Sequence, residues 1–412
     1  MSFQTGLSGL NTAAKNLDVI GNNVANASVA GFKASQAQFA DVFASSLAGG
    51  GSGQIGIGSK IASVAQMFQQ GNISTTGNAL DLAINGKGFF RMDQNGVVTY
   101  SRNGQLRFDP NGYIVNADNL RLTGYGVDVN GNIVVAAPQP ILINFADVSP
   151  RTTTQFRIGM NFDAREIPPV TPVFSPIDPT SYNFSTSGNV YDTLGNSHIL
   201  GMYFVKTAVS GQWQAYATVD GTALANADLG AGPGNPVTMN FSNVGALTTA
   251  MPFNAALTVA TGAVTPIALT VDFSGSTQYG SSFGVNTMTQ DGFASGRLGG
   301  FNVNEQGIII GRYTNGQSRN LGQVVLADFR NPQGLNPLGN NQWEETASSG
   351  LPLVGTPASG SLGVIQSAAV EDSNVDLTAE LVNMITAQRV YQANAQTIKT
   401  QDAVLQTLVN LR

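Results

Sequence analysis

Few side chains in this sequence have the type and spacing to do chemistry. His198 is the one imidazole among 412 residues and stands in YDTLGNSHILGMYF, a stretch that reads as a hairpin. A general base or a metal ligand there needs partners that local spacing does not supply, so an ordinary hairpin residue is expected. Asp93, Asp109 and Asp128 each open an Asp-x-Asn-Gly run. Each begins like a calcium loop, but none continues to the acidic ligands and closing Glu that such a loop requires, and turn chemistry accounts for them. Glu344 and Glu345 are neighbours, which in a strand face opposite ways. Gly51-Ser52-Gly53-Gln54-Ile55-Gly56 fits G-x-G-x-x-G. No β-branched strand precedes it, Gly58 follows where a helix should begin, and the acidic residue expected about 20 positions on is missing, so it reads as a linker. With no cysteine in the chain, thiolate metal sites and cysteine nucleophiles are excluded. These side chains therefore predict no catalytic, cofactor or metal site.

The charge pattern narrows the partners. Only 19 scattered Lys and Arg face 25 Asp and Glu, a formal net charge of -6, so there is no cationic footprint to neutralise phosphates and no nucleic-acid partner is expected. Charged residues make up 11%, against about 25% in an average soluble protein, which leaves a surface that repels its neighbours weakly. No apolar run approaches the roughly 20 residues that span a bilayer, so membrane insertion is not expected. The segment MSFQTGLSGLNTAAKNLDVIGNN has neither the basic start nor the apolar centre of a secretory leader, so none is expected to be cleaved.

Turning to the elements, none of the 17 prolines precedes Pro110 or follows Pro357, which leaves both ends free to be helical. Near the C-terminus, Leu377, Leu381, Met384, Gln388, Tyr391, Ala395, Ile398, Asp402, Leu405 and Val409 advance by alternating steps of four and three. This is a heptad seam, and Asp376 stands where an N-cap belongs. Phe3, Leu7, Leu10, Ala14, Leu17, Gly21 and Val24 repeat the arithmetic at the other end. Gly6, Gly9 and Gly21 weaken that helix by about 1 kcal/mol each relative to Ala, so its order should come from burying the seam against something else. Between the ends, Asn-Gly pairs at Asn85, Asn95, Asn103, Asn111, Asn130 and Asn315 mark hairpins. A nearly uncharged, Thr- and Val-rich stretch separates the early β signals from the late ones, and the prolines from Pro138 to Pro179 suggest a connector.

The expected fold is mainly β. Two or more β-rich domains lie in tandem, the outer inserted in the inner, and the N- and C-terminal segments form an α-helical coiled-coil domain. The expected boundaries are an N-terminal helix over 1–28, a Gly-rich hinge or linker over 29–77, and the inner β domain over 78–145 and 291–365. The outer β domain occupies 146–290 and the C-terminal helix 366–412. Phe3, Leu7, Leu10, Leu17, Val24, Leu377, Leu381, Met384, Tyr391, Ile398, Leu405 and Val409 are the expected helical contacts between subunits. Gly49, Gly50, Gly51, Gly53, Gly56 and Gly58 are the expected hinge. Ends of this kind should stay unordered in a lone chain and order on association.

Three blocks resemble one family. NNVANASVAGFK, with Asn22, Asn23, Ala25, Asn26, Gly31, Phe32 and Lys33, resembles the N-terminal signature of bacterial flagellar rod and hook proteins. ALDLAINGKGFFRM with YSRNGQLRFDPNGYIV resembles their shared β domain, and SNVDLTAELVNMITAQRVYQANAQTIKTQDAVLQTLVNL their C-terminal helix. The large central insertion is closest to the hook members. The resemblance implies a non-enzymatic, cofactor-free homopolymer: a flexible hollow helical tube outside the cell that acts as a universal joint between motor and filament. It further implies export through the flagellar type III apparatus without a cleaved signal peptide. The implied partners are rod, hook cap, hook-length control and hook-filament junction proteins. The alternatives are a rod or junction component, or a secreted adhesin carrying flagellar-type termini.

Overall fold

The computed structural model describes residues 2–42, 56–129, 131–221 and 226–410. They form two compact units. The first comprises 1–145, 300–312 and 318–412, and the second 146–299 with 313–317. The fold is mainly β with a helix at each end, and the second unit interrupts the first, as the turn signals and proline distribution predict.

In the first unit, α1 (Ser2–Ala25) and α2 (Leu377–Asn410) are the two long helices. Asp376 caps α2, its carboxylate accepting from the amides of Thr378 at 2.9 Å and Ala379 at 3.1 Å. Residues 29–77 depart from the expected linker. They contain an antiparallel pair, β1 (Ser35–Val42) and β2 (Gly58–Gln66), registered from Ser35 opposite Gln66 to Val42 opposite Gly58. The alternation in SQAQFADV and GSKIASVAQ carries the strand signal, and the intervening glycines obscured it. Likewise, residues 366–376 are not helical: Ala369–Glu371 pairs with Ile73–Thr75, and Val364–Ser367 with Leu82–Asn85, so strands flanking the two ends of this unit are stitched together.

The body of the unit combines early and late segments. Ser318–Val324 pairs with Arg121–Tyr125, which pairs with Phe89–Gln94. Phe89–Gln94 pairs in turn with Val97–Ser101, and that strand with Gln342–Glu344. The tight turn between Phe89–Gln94 and Val97–Ser101 places Asn95 at φ 54° and Gly96 at φ 92°, the left-handed pair that the Asn-Gly signal predicts. Phe68, Phe89, Tyr100, Phe329 and Trp343 pack edge to face beneath this sheet.

The second unit packs two sheets around one core. Phe184–Tyr191, Ser197–Lys206, Gln212–Val219 and Val237–Asn240 form one sheet in that order. The other holds Phe253–Leu257, Ile267–Asp272, Gln155–Asp163 and Gly284–Gln290. Phe156, Phe162, Phe204, Trp213, Met239 and Phe273 fill the space between them, all at 0% exposure. Gly188 marks the closest approach, where an added Cβ would lie 2.5 Å from the Phe156 ring. The prolines from Pro168 to Pro179 form a loop inside this unit rather than a connector.

Candidate assembly interface

α1 and α2 pack together, with glycines of α1 at the points of closest approach. On α1 the buried positions are Gly6, Ala13, Ile20 and Asn23. On α2, among the described residues, the buried position is Ala387, flanked by half-buried Glu380, Met384, Asn394 and Ile398. A Cβ on Gly6 would meet Ile398 at 3.2 Å, and one on Gly9 would meet the Asn394 amide at 2.7 Å. The glycines that weaken α1 as an isolated helix are thus what lets α2 approach. Small residues allow close backbone packing, so little apolar area is covered per turn.

The larger apolar side chains lie outside this seam. Phe3 is 46% exposed, Leu7 44%, Leu377 47%, Leu381 45% and Leu405 53%, while Tyr391 is exposed and Leu10, Leu17 and Val24 are half-buried. Ile398 is the expected contact that reaches α1, against Gly6, and Met384 is half-buried. Val409 lies in α2, but its side chain falls outside the described residues. The seam expected on α1 is displaced by one residue, from Leu7, Ala14 and Gly21 to Gly6, Ala13 and Ile20, and periodicity alone fixes no better than that. Val382, Ile385 and Val390 add further exposed apolar area on α2. In the single chain both ends are helices, which corrects the expectation of unordered ends. What remains of that expectation is helices whose larger apolar side chains lack cover.

A polar clasp fixes the bases of both helices. Asn23 is 1% exposed; its side chain exchanges two hydrogen bonds of 2.8 Å with the Ser35 backbone and donates to Glu380 Oε1 at 3.0 Å. One amide thus joins α1, β1 and α2. Asn374, just before α2, grips the residues flanking β1 and β2, accepting from the Ala34 amide at 2.7 Å and donating to the Met67 carbonyl. Gly31 holds φ 72°, and a Cβ there would lie 2.6 Å from the Asn103 amide nitrogen. Two residues on, Lys33 Nζ donates to Glu371 Oε1 at 2.6 Å and to the Gln69 carbonyl at 2.8 Å. Glu371 Oε2 takes Arg102 Nη1 at 3.1 Å, while its Oε1 also accepts from the Gly71 amide at 2.9 Å. Both the Lys33 and Glu371 side chains are 0% exposed. Burial pushes the pKa of Lys33 and Arg102 down, and the Glu371 charge opposes that shift. Asn23, Gly31 and Lys33 of the signature therefore act as fasteners. Asn22 caps no partner strand but accepts from the Asn26 side chain at 2.9 Å, exposed Ala25 ends α1, and half-buried Phe32 sits between Gly31 and Lys33. Arg102, Glu371, Asn374 and Glu380 escaped the sequence reading, since they lie far along the chain from the residues they hold.

Of the expected hinge glycines, Gly49, Gly50, Gly51 and Gly53 lie outside the described residues. Gly56 precedes β2. Gly58 opens β2 against α1, where a Cβ would overlap the Ser8 hydroxyl, so it serves close packing rather than bending. Elsewhere, His198 is 3% exposed, with Nδ1 2.7 Å from Asp220 and Nε2 3.2 Å from Asp192. It is an enclosed structural imidazole. Among the described residues, no group of three metal-binding side chains converges, and no helix is long and apolar enough to cross a membrane.

The comparisons with known proteins agree along the whole chain. Residues 3–33 match the flagella basal body rod protein model, and 366–411 match the flagellar basal body rod FlgEFG protein C-terminal model. Residues 83–191 match the flagellar hook protein FlgE/F/G D1 domain, and 161–293 the flagellar basal body protein FlaE D2 domain. The flagellar hook protein FlgE of Escherichia coli K12 is 42% identical over 421 residues, covering 100% of both chains. That of Salmonella typhimurium LT2 is 42% identical over 418 residues, again with 100% coverage of both. That of Borreliella burgdorferi is 31% identical over 448 residues, covering 100% of this chain and 99% of the other. The crystal structure of Helicobacter pylori flagellar hook protein FlgE2 aligns with TM-score 0.52 at 13% identity, over 72% of this chain and 100% of that one, a likeness of fold.

Proposed function

Since the chain belongs to the flagellar hook protein FlgE family, a family of structural hook subunits rather than enzymes, we propose that its paired helices are the element through which copies polymerise. Full-length agreement, outer unit included, favours hook over the rod, junction and adhesin alternatives. One observation carries the assembly reading: Gly6 and Gly9 let α2 approach α1 closely, while Phe3, Leu7, Leu377, Leu381 and Leu405 are left exposed. A self-sufficient helical pair does the reverse, placing its large apolar residues in the seam. Exposed apolar surface of this kind marks an association site, and the available partner of matching chemistry is the same helical surface on other copies.

In this reading α1 and α2 form the inner layer of a hollow tube, with Phe3, Leu7, Leu10, Leu17 and Val24 meeting Leu377, Leu381, Tyr391, Leu405 and Val409 of neighbours, while Ile398 packs on α1 of its own chain. The clasp at Asn23, Lys33 and Glu371 holds the helices at a fixed angle to the β body, so torque taken up by the inner layer passes to the outer ones. The tract Gly49, Gly50, Gly51, Gly53 and Gly56 supplies slack as the tube bends, and weakly charged outer surfaces slide past each other. The subunit would leave the cell through the type III apparatus without cleavage and meet rod, cap, length-control and junction proteins at the two ends of the tube. The test is Leu381→Lys with Ile385→Lys. Both side chains are exposed in the single chain, so the β units should melt unchanged while tube formation, scored by electron microscopy, is abolished. Tubes of normal length and yield from this variant would refute the reading.

A further inference from the structure

The loop between strands Gln155–Asp163 and Phe184–Tyr191 is built in an unusual way. Its residues 167–177, IPPVTPVFSPI, contain no charge and four prolines. Four aliphatic side chains point into water: Ile167 is 74% exposed, Val170 92%, Val173 75% and Ile177 88%. Scattered exposed apolar residues are normal, but four within one short segment are not.

The loop is nonetheless firmly held. Phe174 turns inward and stacks on Tyr216 with ring centroids 4.1 Å apart. Thr171 and Thr180 share a 2.7 Å hydroxyl contact, and the Thr171 amide donates to the Thr180 carbonyl. Ser181 Oγ accepts from the Ser175 amide at 3.0 Å and donates to its carbonyl at 2.8 Å. At the base, Asn183 donates to the Ile167 carbonyl at 2.9 Å. Prolines and these staples fix the backbone beforehand, which lowers the ordering cost of a contact. A single aromatic plug with four aliphatics left outside is an arrangement for display.

We propose that this loop is a preformed docking surface by which the outer unit of one subunit contacts a second copy of this chain within the polymer. The proposal rests on the assembly reading above and adds to it a residue-level contact in the outer unit. The size of the patch selects the occupant. Four aliphatic side chains bury at most a few hundred Å², well under the about 1,200 Å² of a stable free-standing complex. Such a surface holds a partner only when something else already keeps the two together, which is the situation of copies joined through their helices. Charge points the same way. An uncharged patch suits an uncharged partner, and the outer unit itself supplies one: strand Gly284–Gln290 has no charge and exposes Val285 and Met288.

The absence of cysteine makes the test clean. Val170→Cys and Ile177→Cys should react rapidly with a maleimide in the monomer and at least tenfold more slowly in assembled tubes. Equal labelling rates in the two states would overturn the proposal, as would slowing produced only by adding another protein or lipid vesicles. Val170→Lys with Ile177→Lys should leave the melting of the monomer unchanged and raise the concentration needed for assembly several-fold; unchanged assembly would also count against it. If the unsubstituted chain formed no tubes at all, the assembly reading would fail. If it formed tubes with the loop still reactive, this inference alone would fail.

Discussion

Replacing Glu371 with Gln isolates the clasp. The substitution keeps shape and one acceptor oxygen but removes the negative charge that faces Lys33 at 2.6 Å and Arg102 at 3.1 Å in a region with no water contact at Glu371. Removing one partner of a buried pair costs about 3–5 kcal/mol, because the remaining charge stays desolvated. Here two cations are left, so the upper end, about 5 kcal/mol, is expected. Lys33→Met should cost less. It leaves Glu371 and Arg102 as a one-to-one pair and removes an ammonium whose charged state burial already opposes, forfeiting mainly the bond to the Gln69 carbonyl. About 1–3 kcal/mol covers that loss and the bond to Glu371. The chain has two tryptophans, Trp343 in the first unit and Trp213 in the second. In 5-fluorotryptophan protein, fluorine NMR during urea unfolding therefore reads each unit separately. The Trp343 transition should shift strongly in Glu371→Gln and moderately in Lys33→Met, with Trp213 unmoved. A Glu371→Gln shift below about 1 kcal/mol, or the reverse order of the two variants, would refute the argument from buried charge.

Three further outcomes follow from the same geometry. Gly31→Ala places a Cβ against the backbone of Arg102 and Asn103 at a left-handed φ, so it should destabilise the first unit by at least about 2 kcal/mol, whereas Gly21→Ala, with open space around it, should raise helix stability by roughly 0.5–1 kcal/mol in the same urea titration. Burial of His198 opposes its charge, yet hydrogen bonds and charges from Asp220 and Asp192 raise its pKa overall. Its contribution is therefore complete below the unfolded value of about 6.5 and lost as pH rises through the higher folded value, so the Trp213 transition should move to lower urea with increasing pH, and His198→Asn should flatten that dependence. Asp376→Ala removes two amide bonds from the first turn of α2 and should cost about 1 kcal/mol of helix stability, visible as faster hydrogen exchange at Thr378 and Ala379.

Much of this architecture was legible, and the misreadings share a cause. Asp376 and the Asn95-Gly96 turn act locally, within a few residues, and sequence spacing expresses local geometry directly. The heptad period of both helices was equally plain. Its register was not, because the usual assumption puts most of the large apolar residues in the seam, whereas Gly6, Ala13, Ala387 and Asn394 share it here with Ile20 and Ile398. The clasp was half visible: the signature reached Lys33 and Gly31, but Glu371 lies 338 positions from Lys33 and 269 from Arg102, separations at which a single sequence gives no pairing signal. His198 read as an ordinary hairpin residue. Its partner Asp192 lies 6 positions away and Asp220 22 positions away, brought together by strand pairing that spacing alone does not define. The strands β1 and β2 were missed because a glycine tract between them dominated the composition.

The central claim is that the outward apolar residues of α1 and α2 find their cover in neighbouring copies. Hydrogen-deuterium exchange on the same protein, first as dilute monomer and then as assembled tubes, measures that cover residue by residue. Amides of α2 from Leu381 to Leu405 should exchange at least a hundredfold more slowly in the tube than in the monomer, about 3 kcal/mol of added protection. Helices already fully protected in the monomer, or equally unprotected in both states, would contradict it.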